Sequence, residues 1–162
     1  TCWSLDSSSF VVDSNCVSFG SIRGDSTIQF FSTSLMLDTT YYLRAYIVPV
    51  VGETLYSEVS TKIISSLKVS TLHSYSDGST ITLLGKIDDL GVSEVVDYGH
   101  CWSESDSLPD LDDSVNSIGR ANITGLYHTE ISDQISGMIY YRSFARSVYG
   151  TVSFGELRIL EP

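Results

Sequence analysis

The strongest constraint on the fold is an internal repeat. Residues 41–59, YYLRAYIVPVVGETLYSEV, align with residues 139–157, IYYRSFARSVYGTVSFGEL, at an offset of 98 positions. The tripeptide CWS occurs at 2–4 and again at 101–103, so the offset changes by one residue, as a loop deletion would cause. The matched positions include Arg44 with Arg142, Ala45 with Ser143, Tyr46 with Phe144, Gly52 with Gly150, Tyr56 with Phe154 and Glu58 with Glu156. The shared order and spacing predict two copies of one structural unit.

The pattern inside each copy is typical of β-structure. Residues 79–87, 93–103 and 126–135 form short segments rich in β-branched or aromatic side chains, and Gly, Asp and Ser bound them. Turn sequences such as SDGS at 76–79 are frequent, and no helical period is sustained for ten residues. We therefore expect an all-β chain built as a β-sandwich.

Two motifs resemble a known family. YGHCWS at 98–103, and TTYYLRAY at 39–46 followed by a Gly turn and a YSEV strand, are similar to the fibronectin type III-like repeats of Bacteroidota cell-surface proteins. The resemblance covers nearly the whole chain as two units, and it implies an Ig-like β-sandwich fold and an extracellular setting. The resemblance does not imply a catalytic activity. The chain departs from the family where Ile139 replaces the first Tyr of the pair and where Leu37 replaces the usual Pro.

The two units are expected to differ in completeness. We predict an incomplete repeat over 1–65, containing strands C to G, and a complete repeat over 66–162. The second has about 35 residues ahead of Cys101, enough for two strands, whereas the first has a single residue ahead of Cys2. Three explanations stay open. The chain is a piece of a longer repeat protein, or a neighbouring subunit supplies the missing strands, or the first unit is only partly folded and packs against the second.

Charge and composition exclude some partners. The formal net charge of −11 and the small number of Lys and Arg residues, 9 in total, argue against a nucleic-acid partner. No apolar run reaches the length of a membrane span. Of the three cysteines, Cys2 and Cys101 share one repeat position, which is typical of a small buried side chain. A disulfide between Cys2 and Cys16 is left open.

Candidate catalytic and metal-binding patterns are few. The histidines have no metal-ligand spacing, and no GxSxG motif is present, so we expect no enzyme and no cofactor. The histidines are His73, His100 and His128. The acidic loop SLPDLDDS at 107–114 is the best candidate for Ca²⁺, through Asp110, Asp112 and Asp113. It lacks the spacing and the Gly of an EF-hand, and an acidic surface loop is the commoner meaning.

In both copies, aromatic and Arg side chains alternate on one face of the predicted strand that contains them, strand F of the sandwich. We call these sets the aromatic rows: Tyr42, Arg44 and Tyr46 in the first copy, and Tyr140, Arg142 and Phe144 in the second. Such a row could bind a sugar ring or a protein partner, because aromatic faces and a guanidinium suit both. A structural role, with Arg stacked between aromatics on the outer face of the sheet, is favoured because both copies carry it.

Five positions are candidate glycan acceptors. The Asp-Ser/Thr-apolar pattern resembles the O-glycan acceptor motif of Bacteroidota, and one N-glycosylation sequon is present. The positions are Ser26, Thr39, Ser107 and Ser114 for O-glycans and Asn122 for an N-glycan.

These features together favour a non-enzymatic structural repeat of an extracellular bacterial surface protein. Its role would be that of a spacer, an adhesin stalk or a fibre subunit completed by a strand from a neighbour. Its partners would be further repeats of the parent chain, other copies of itself, or glycans. The alternative is a carbohydrate-binding module that uses the aromatic rows.

Overall fold

The chain is all-β, as the sequence predicts. The structure, a computed structural model, describes residues 1–8, 15–22, 24, 27, 29, 35–131 and 137–161. These residues form fourteen strands, and all pairing between strands is antiparallel. Within those ranges no helical segment has the length and apolar character that membrane crossing requires. The chain divides into two compact units, Thr1–Ile64 and Ser65–Pro162.

The described residues of the first unit form a three-stranded sheet and a separate two-stranded ladder. Its strands are β1 (Cys2–Ser4), β2 (Thr39–Arg44), β3 (Tyr46–Ile47), β4 (Leu55–Tyr56) and β5 (Ser60–Ile64). β2 lies between β1 and β5, while β3 and β4 form a separate two-stranded ladder. The backbone N–H of Trp3 donates to Asn15, and that of Val17 donates to Thr1, so that the 15–17 segment extends the sheet beyond β1.

The second unit contains two sheets. Its strands are β6 (Leu67–Thr71), β7 (Tyr75–Ser76), β8 (Ile81–Leu90), β9 (Val95–Ser103), β10 (Ser114–Ser117), β11 (Gly125–Ile131), β12 (Ile139–Ser147), β13 (Val152–Phe154) and β14 (Arg158–Leu160). One sheet has the order β11-β8-β6, with β7 also paired to β8. The other has the order β10-β9-β12-β13, with β14 also paired to β12.

The core of the second unit lies between these sheets. One cluster of buried side chains consists of Ile81, Leu83, Ile131, Ile139 and Tyr141. A second cluster consists of Val69, Ile87, Val95 and Ala145. Each cluster takes residues from both sheets, and each large apolar side chain buried in this way contributes about 1.5–3 kcal/mol. The arrangement is therefore β-sandwich-like.

The strand period of two divides β12 between two environments. Ile139, Tyr141 and Ala145 point into the core, which places Tyr140 and Arg142 on the opposite face. At Ile139, where the sequence lacks the Tyr present at position 41, the side chain is fully buried. The hydroxyl of Tyr141 instead donates to the Leu72 carbonyl, at 3.1 Å. In the first unit the Tyr41 hydroxyl accepts a bond from the Met36 N–H, at 2.9 Å.

The two units pair their strands in one register. Equivalent pairs are Cys2–Arg44 and Cys101–Arg142, Tyr42–Thr61 and Tyr140–Ile159, and Tyr46–Tyr56 and Phe144–Phe154. The turns that follow β3 and β12 contain Gly52 and Gly150, with φ of 112° and 83°. Only glycine adopts these angles without strain, so the repeated glycines in the sequence have a conformational cause.

The apolar residues of the first unit are much less buried. Among its described residues, the buried apolar side chains are Cys2 and Tyr41. Ile47 is 55% exposed, whereas Ala145, at the equivalent position of the second unit, is 0% exposed. Leu55, which faces Ile47 across the β3–β4 ladder, is 64% exposed. The face that forms the core in the second unit is therefore open to solvent at this end of the first.

Candidate functional site

The aromatic row of the second unit is largely enclosed. The Arg142 guanidinium lies over the Phe154 ring, 3.8 Å from its centroid, and the Arg142 Nε donates to the Pro109 carbonyl. Phe144 is 0% exposed, and Tyr140 is half-buried. The row therefore packs against the loop that follows β9, and Phe144 offers no surface to a ligand in this conformation.

In the first unit the Arg of the aromatic row also stacks on an aromatic ring, but its Nε donates to a different carbonyl. The Arg44 guanidinium lies 4.6 Å from the centroid of the Tyr56 ring, and its Nε donates to the Ser57 carbonyl at 2.9 Å. Tyr42, Arg44 and Tyr46 are all half-buried. A cation over an aromatic ring contributes about 0.5–1 kcal/mol at an exposed site, so the shared element of both rows is a stabilising stack.

The acidic loop uses its carboxylates on its own backbone. Asp113 Oδ2 accepts from the Asp110 N–H at 2.9 Å, and Asp110 Oδ1 accepts from the Asp112 N–H at 2.8 Å. Asp106 Oδ1 likewise accepts from the Leu108 N–H at 2.8 Å. Across the described part of the chain, no group of three or more His, Cys, Asp or Glu residues is arranged to hold a metal ion. Asp106 and Asp110 thus form Asx turns, whereas Asp113 bonds back to an N–H three residues earlier in the chain.

The candidate glycan acceptors lie in different settings. Ser107, Ser114 and Asn122 are exposed. Thr39 is half-buried, and its hydroxyl donates to the Leu37 carbonyl at 3.0 Å. Ser26 lies outside the described residues. Three of the five positions are therefore accessible on the second unit.

The three histidines do not converge. His73 and His128 are exposed, whereas His100 is fully buried and shares a 2.9 Å hydrogen bond with Thr129 Oγ1 through Nδ1. Burial lowers the pKa of His100 to about 4, and an interaction with the Leu84 backbone partly opposes this shift. His100 is therefore neutral near pH 7.

The structure settles the cysteine pairing that the sequence left open. Cys2 and Cys16 form a disulfide between β1 and the 15–17 segment. Val115 pairs with Cys101 in the second unit as Cys16 pairs with Cys2 in the first, so Cys101 has no thiol opposite it. Burial raises the pKa of Cys101 to about 11, although Arg142 acts in the opposite direction. Such a thiol is unreactive at neutral pH.

A backbone contact between the sheets of the second unit was not predicted from the sequence. The Ser143 N–H donates to Thr71 Oγ1 at 2.9 Å, and the Gly155 N–H donates to the Ser143 carbonyl at 2.9 Å. Glu156 Oε2 accepts from the Thr71 N–H at 3.3 Å. We call Ser143, Gly155 and Glu156 the strand seat, because they hold the end of β6 against β12 and the chain beyond β13.

The strand seat depends on the absence of a side chain at Gly155. A Cβ at this position would lie 2.4 Å from Thr71 Oγ1 and 2.6 Å from Thr71 N. Both distances are shorter than real Cβ contacts allow, and one of the two atoms belongs to the backbone. The signal in the sequence is the match of Gly155 with Ser57, which differs between the repeats.

Comparisons with known proteins provide no assignment. The chain matches no protein-family model, no curated protein and no solved structure. A function is therefore inferred from the internal repeat, its geometry and the resemblance of the sequence motifs.

Proposed function

We propose that this chain is a non-enzymatic structural repeat of an extracellular bacterial surface protein. It consists of two tandem fibronectin type III-like β-sandwich units. Its role is that of a spacer, an adhesin stalk or a fibre subunit, and its partners are further repeats of the parent chain or other copies of itself.

The observation that carries this proposal is the shared register of the two units. Cys2 faces Arg44 as Cys101 faces Arg142. Each Arg stacks on an aromatic ring, Tyr56 of β4 in the first unit and Phe154 of β13 in the second. A ligand site need not recur in consecutive units, whereas a device that stiffens a sheet is useful in each of them. The repetition therefore favours a structural role.

One further observation favours an extracellular setting. The Cys2–Cys16 disulfide is of the kind that persists in oxidising compartments. The net charge of −11 concerns solubility instead, because repulsion between like charges keeps surface modules apart.

Surface exposure can be tested on intact source cells. Antibodies raised against this chain should label unbroken cells, and added protease should remove the epitope without lysis. Electron microscopy of the parent protein isolated from those cells should then show rod-like or fibrous particles. An epitope protected until the cells are lysed would contradict the proposal.

The alternative, a carbohydrate-binding module, has narrower support. Tyr42 and Tyr140 are half-buried and so retain some accessible surface, but Phe144 has none. Saturable binding to a glycan array that is lost in both Tyr42→Ala and Tyr140→Ala would favour this alternative. Tyr149→Ala, at an 85% exposed tyrosine outside the rows, is the matched control.

A further inference from the structure

The first unit contains a counterpart of the strand seat, and a side chain of that unit fills it. Ala45, Ser57 and Glu58 stand at the positions of Ser143, Gly155 and Glu156, 98 residues earlier. The Ser57 N–H donates to the Ala45 carbonyl at 3.0 Å, which reproduces the backbone bond between Gly155 and Ser143. The backbone frame of the seat is therefore the same in both units.

The two units differ in the acceptor for the backbone N–H of Ala45 and of its counterpart Ser143. The Ala45 N–H donates to Ser57 Oγ at 3.0 Å, and this hydroxyl in turn donates to the Glu58 carbonyl at 2.7 Å. In the second unit the equivalent N–H bonds to Thr71 Oγ1, which belongs to β6. The hydroxyl of Ser57 thus replaces the hydroxyl that a docked strand would bring.

The Cβ of residue 57 has a separate steric effect. At the matching position of the second unit, a Cβ would approach the Thr71 nitrogen to 2.6 Å and the Ser70 carbonyl carbon to 3.0 Å. A strand placed on the first unit as β6 lies on the second would therefore collide with Ser57 through its own backbone. Such a collision cannot be relieved by rotating a side chain.

We propose that Ser57 excludes a β6-type strand from the first unit, and so prevents a second copy of this chain from exchanging its β6 into that unit. The inference rests on the tandem-repeat relation of the proposed function. It excludes one class of partner for the first unit, namely a chain that places the backbone of its own β6 beside Ser57.

The test measures uptake of the excluded strands by the full chain. The probe is a fluorescent peptide of residues 66–90, which carries β6 and β8, and binding is followed by fluorescence anisotropy. The proteins are the wild type, Ser57→Gly and Ser57→Ala. The alanine variant is the matched control, because it removes the hydroxyl but keeps the Cβ.

Only Ser57→Gly should gain affinity, by about tenfold or more, because only glycine frees both the Ala45 N–H and the space for the strand. A peptide with Thr71→Val should lose this gain, because it lacks the hydroxyl that the N–H would bond. Equal binding by wild type and Ser57→Gly would overturn the proposal, as would binding by none of the three proteins.

A reciprocal variant keeps the proposal testable if Ser57→Gly alters the first unit. Gly155→Ser moves the blocking residue into the second unit, and amide hydrogen exchange at Ser70 and Thr71 should then accelerate at least tenfold. Gly137→Ser is the control, because a Cβ there would meet its nearest atom, Glu104 Oε2, at 3.7 Å. Unchanged exchange in Gly155→Ser would overturn the proposal. These measurements use purified protein, so their failure is distinct from failure of the cell-surface labelling.

Discussion

Removal of the disulfide should selectively destabilise the first unit. Cys16→Val reproduces the Cys–Val pair that Cys101 and Val115 form in the second unit, so it deletes the covalent link while keeping an apolar side chain. The bond joins residues 14 apart in sequence. Closing a loop of about 15 residues contributes about 3 kcal/mol to stability in the chain-entropy model.

This amount is large for the first unit. Its described residues bury only the apolar side chains of Cys2 and Tyr41, whereas the second unit has two core clusters. A loss of about 3 kcal/mol compares with a net stability of about 5–15 kcal/mol for a typical domain. We therefore expect the first unit of Cys16→Val to be partly or largely unfolded at 37 °C.

The assay uses the single Trp in each unit. In a Trp102→Phe background, Trp3 fluorescence reports unfolding of the first unit in urea, and the midpoint should fall by about 2–3 M for a slope near 1–1.5 kcal/mol/M. Reduction of the Cys2–Cys16 disulfide in the protein that keeps Cys16 should lower the urea midpoint by the same amount. In a Trp3→Phe background, Trp102 reports the second unit, which should not respond. A loss of unfolding free energy below about 0.5 kcal/mol in the first unit, or an equal loss in both units, would refute the reasoning.

Three further outcomes are expected in the second unit. Val115→Cys should form a disulfide with Cys101 on oxidation at alkaline pH, where the Cys101 thiolate is populated, because the two positions pair as Cys16 and Cys2 do. Two titratable thiols remaining in that unit after oxidation would contradict this. Stability should fall as the pH drops from about 6.5 to 4, because His100 binds a proton more readily in the unfolded chain than when buried. The expected loss approaches 3 kcal/mol at pH 4, and a urea series in His100→Gln should lack this slope. Gly99→Ala should lower stability by about 1–3 kcal/mol, because its Cβ would fall 1.9 Å from the Asn116 carbonyl oxygen. A thermal midpoint within 2 °C of wild type would count against that assignment.

The strands and their outer rows were predictable because the signals are local. Alternation along residues 139–147 places Arg142 on the outer face whatever the rest of the chain does. The burial of Phe144 and the bond from Arg142 to Pro109 were not predictable, because they depend on the path of a loop. The Cys2–Cys16 disulfide could only be left open from the sequence, since deciding it requires the register of the 15–17 segment against β1.

The strand seat could not be predicted from the sequence for a different reason. Ser57 and Gly155 differ by a single small side chain, and neither residue suggests a site when considered alone. The difference matters because of Thr71, which is more than 80 residues from Gly155 along the chain. Thr71 is nevertheless hydrogen-bonded to Ser143, whose carbonyl accepts from the Gly155 N–H. Contacts between sheets are set by tertiary packing, so they are found by comparing the two units in three dimensions.

The disulfide also changes how the chain carries tension. A pull on Thr1 passes from Cys2 to Cys16 through the sulfur–sulfur bond, so the 13 residues between them cannot be drawn out. Fully extended, they would add about 45 Å of length. The segment between Cys2 and Cys16 therefore keeps its end-to-end length under load in an oxidising medium. In a reducing medium the same pull acts directly on β1, and the segment can lengthen once β1 has separated from β2.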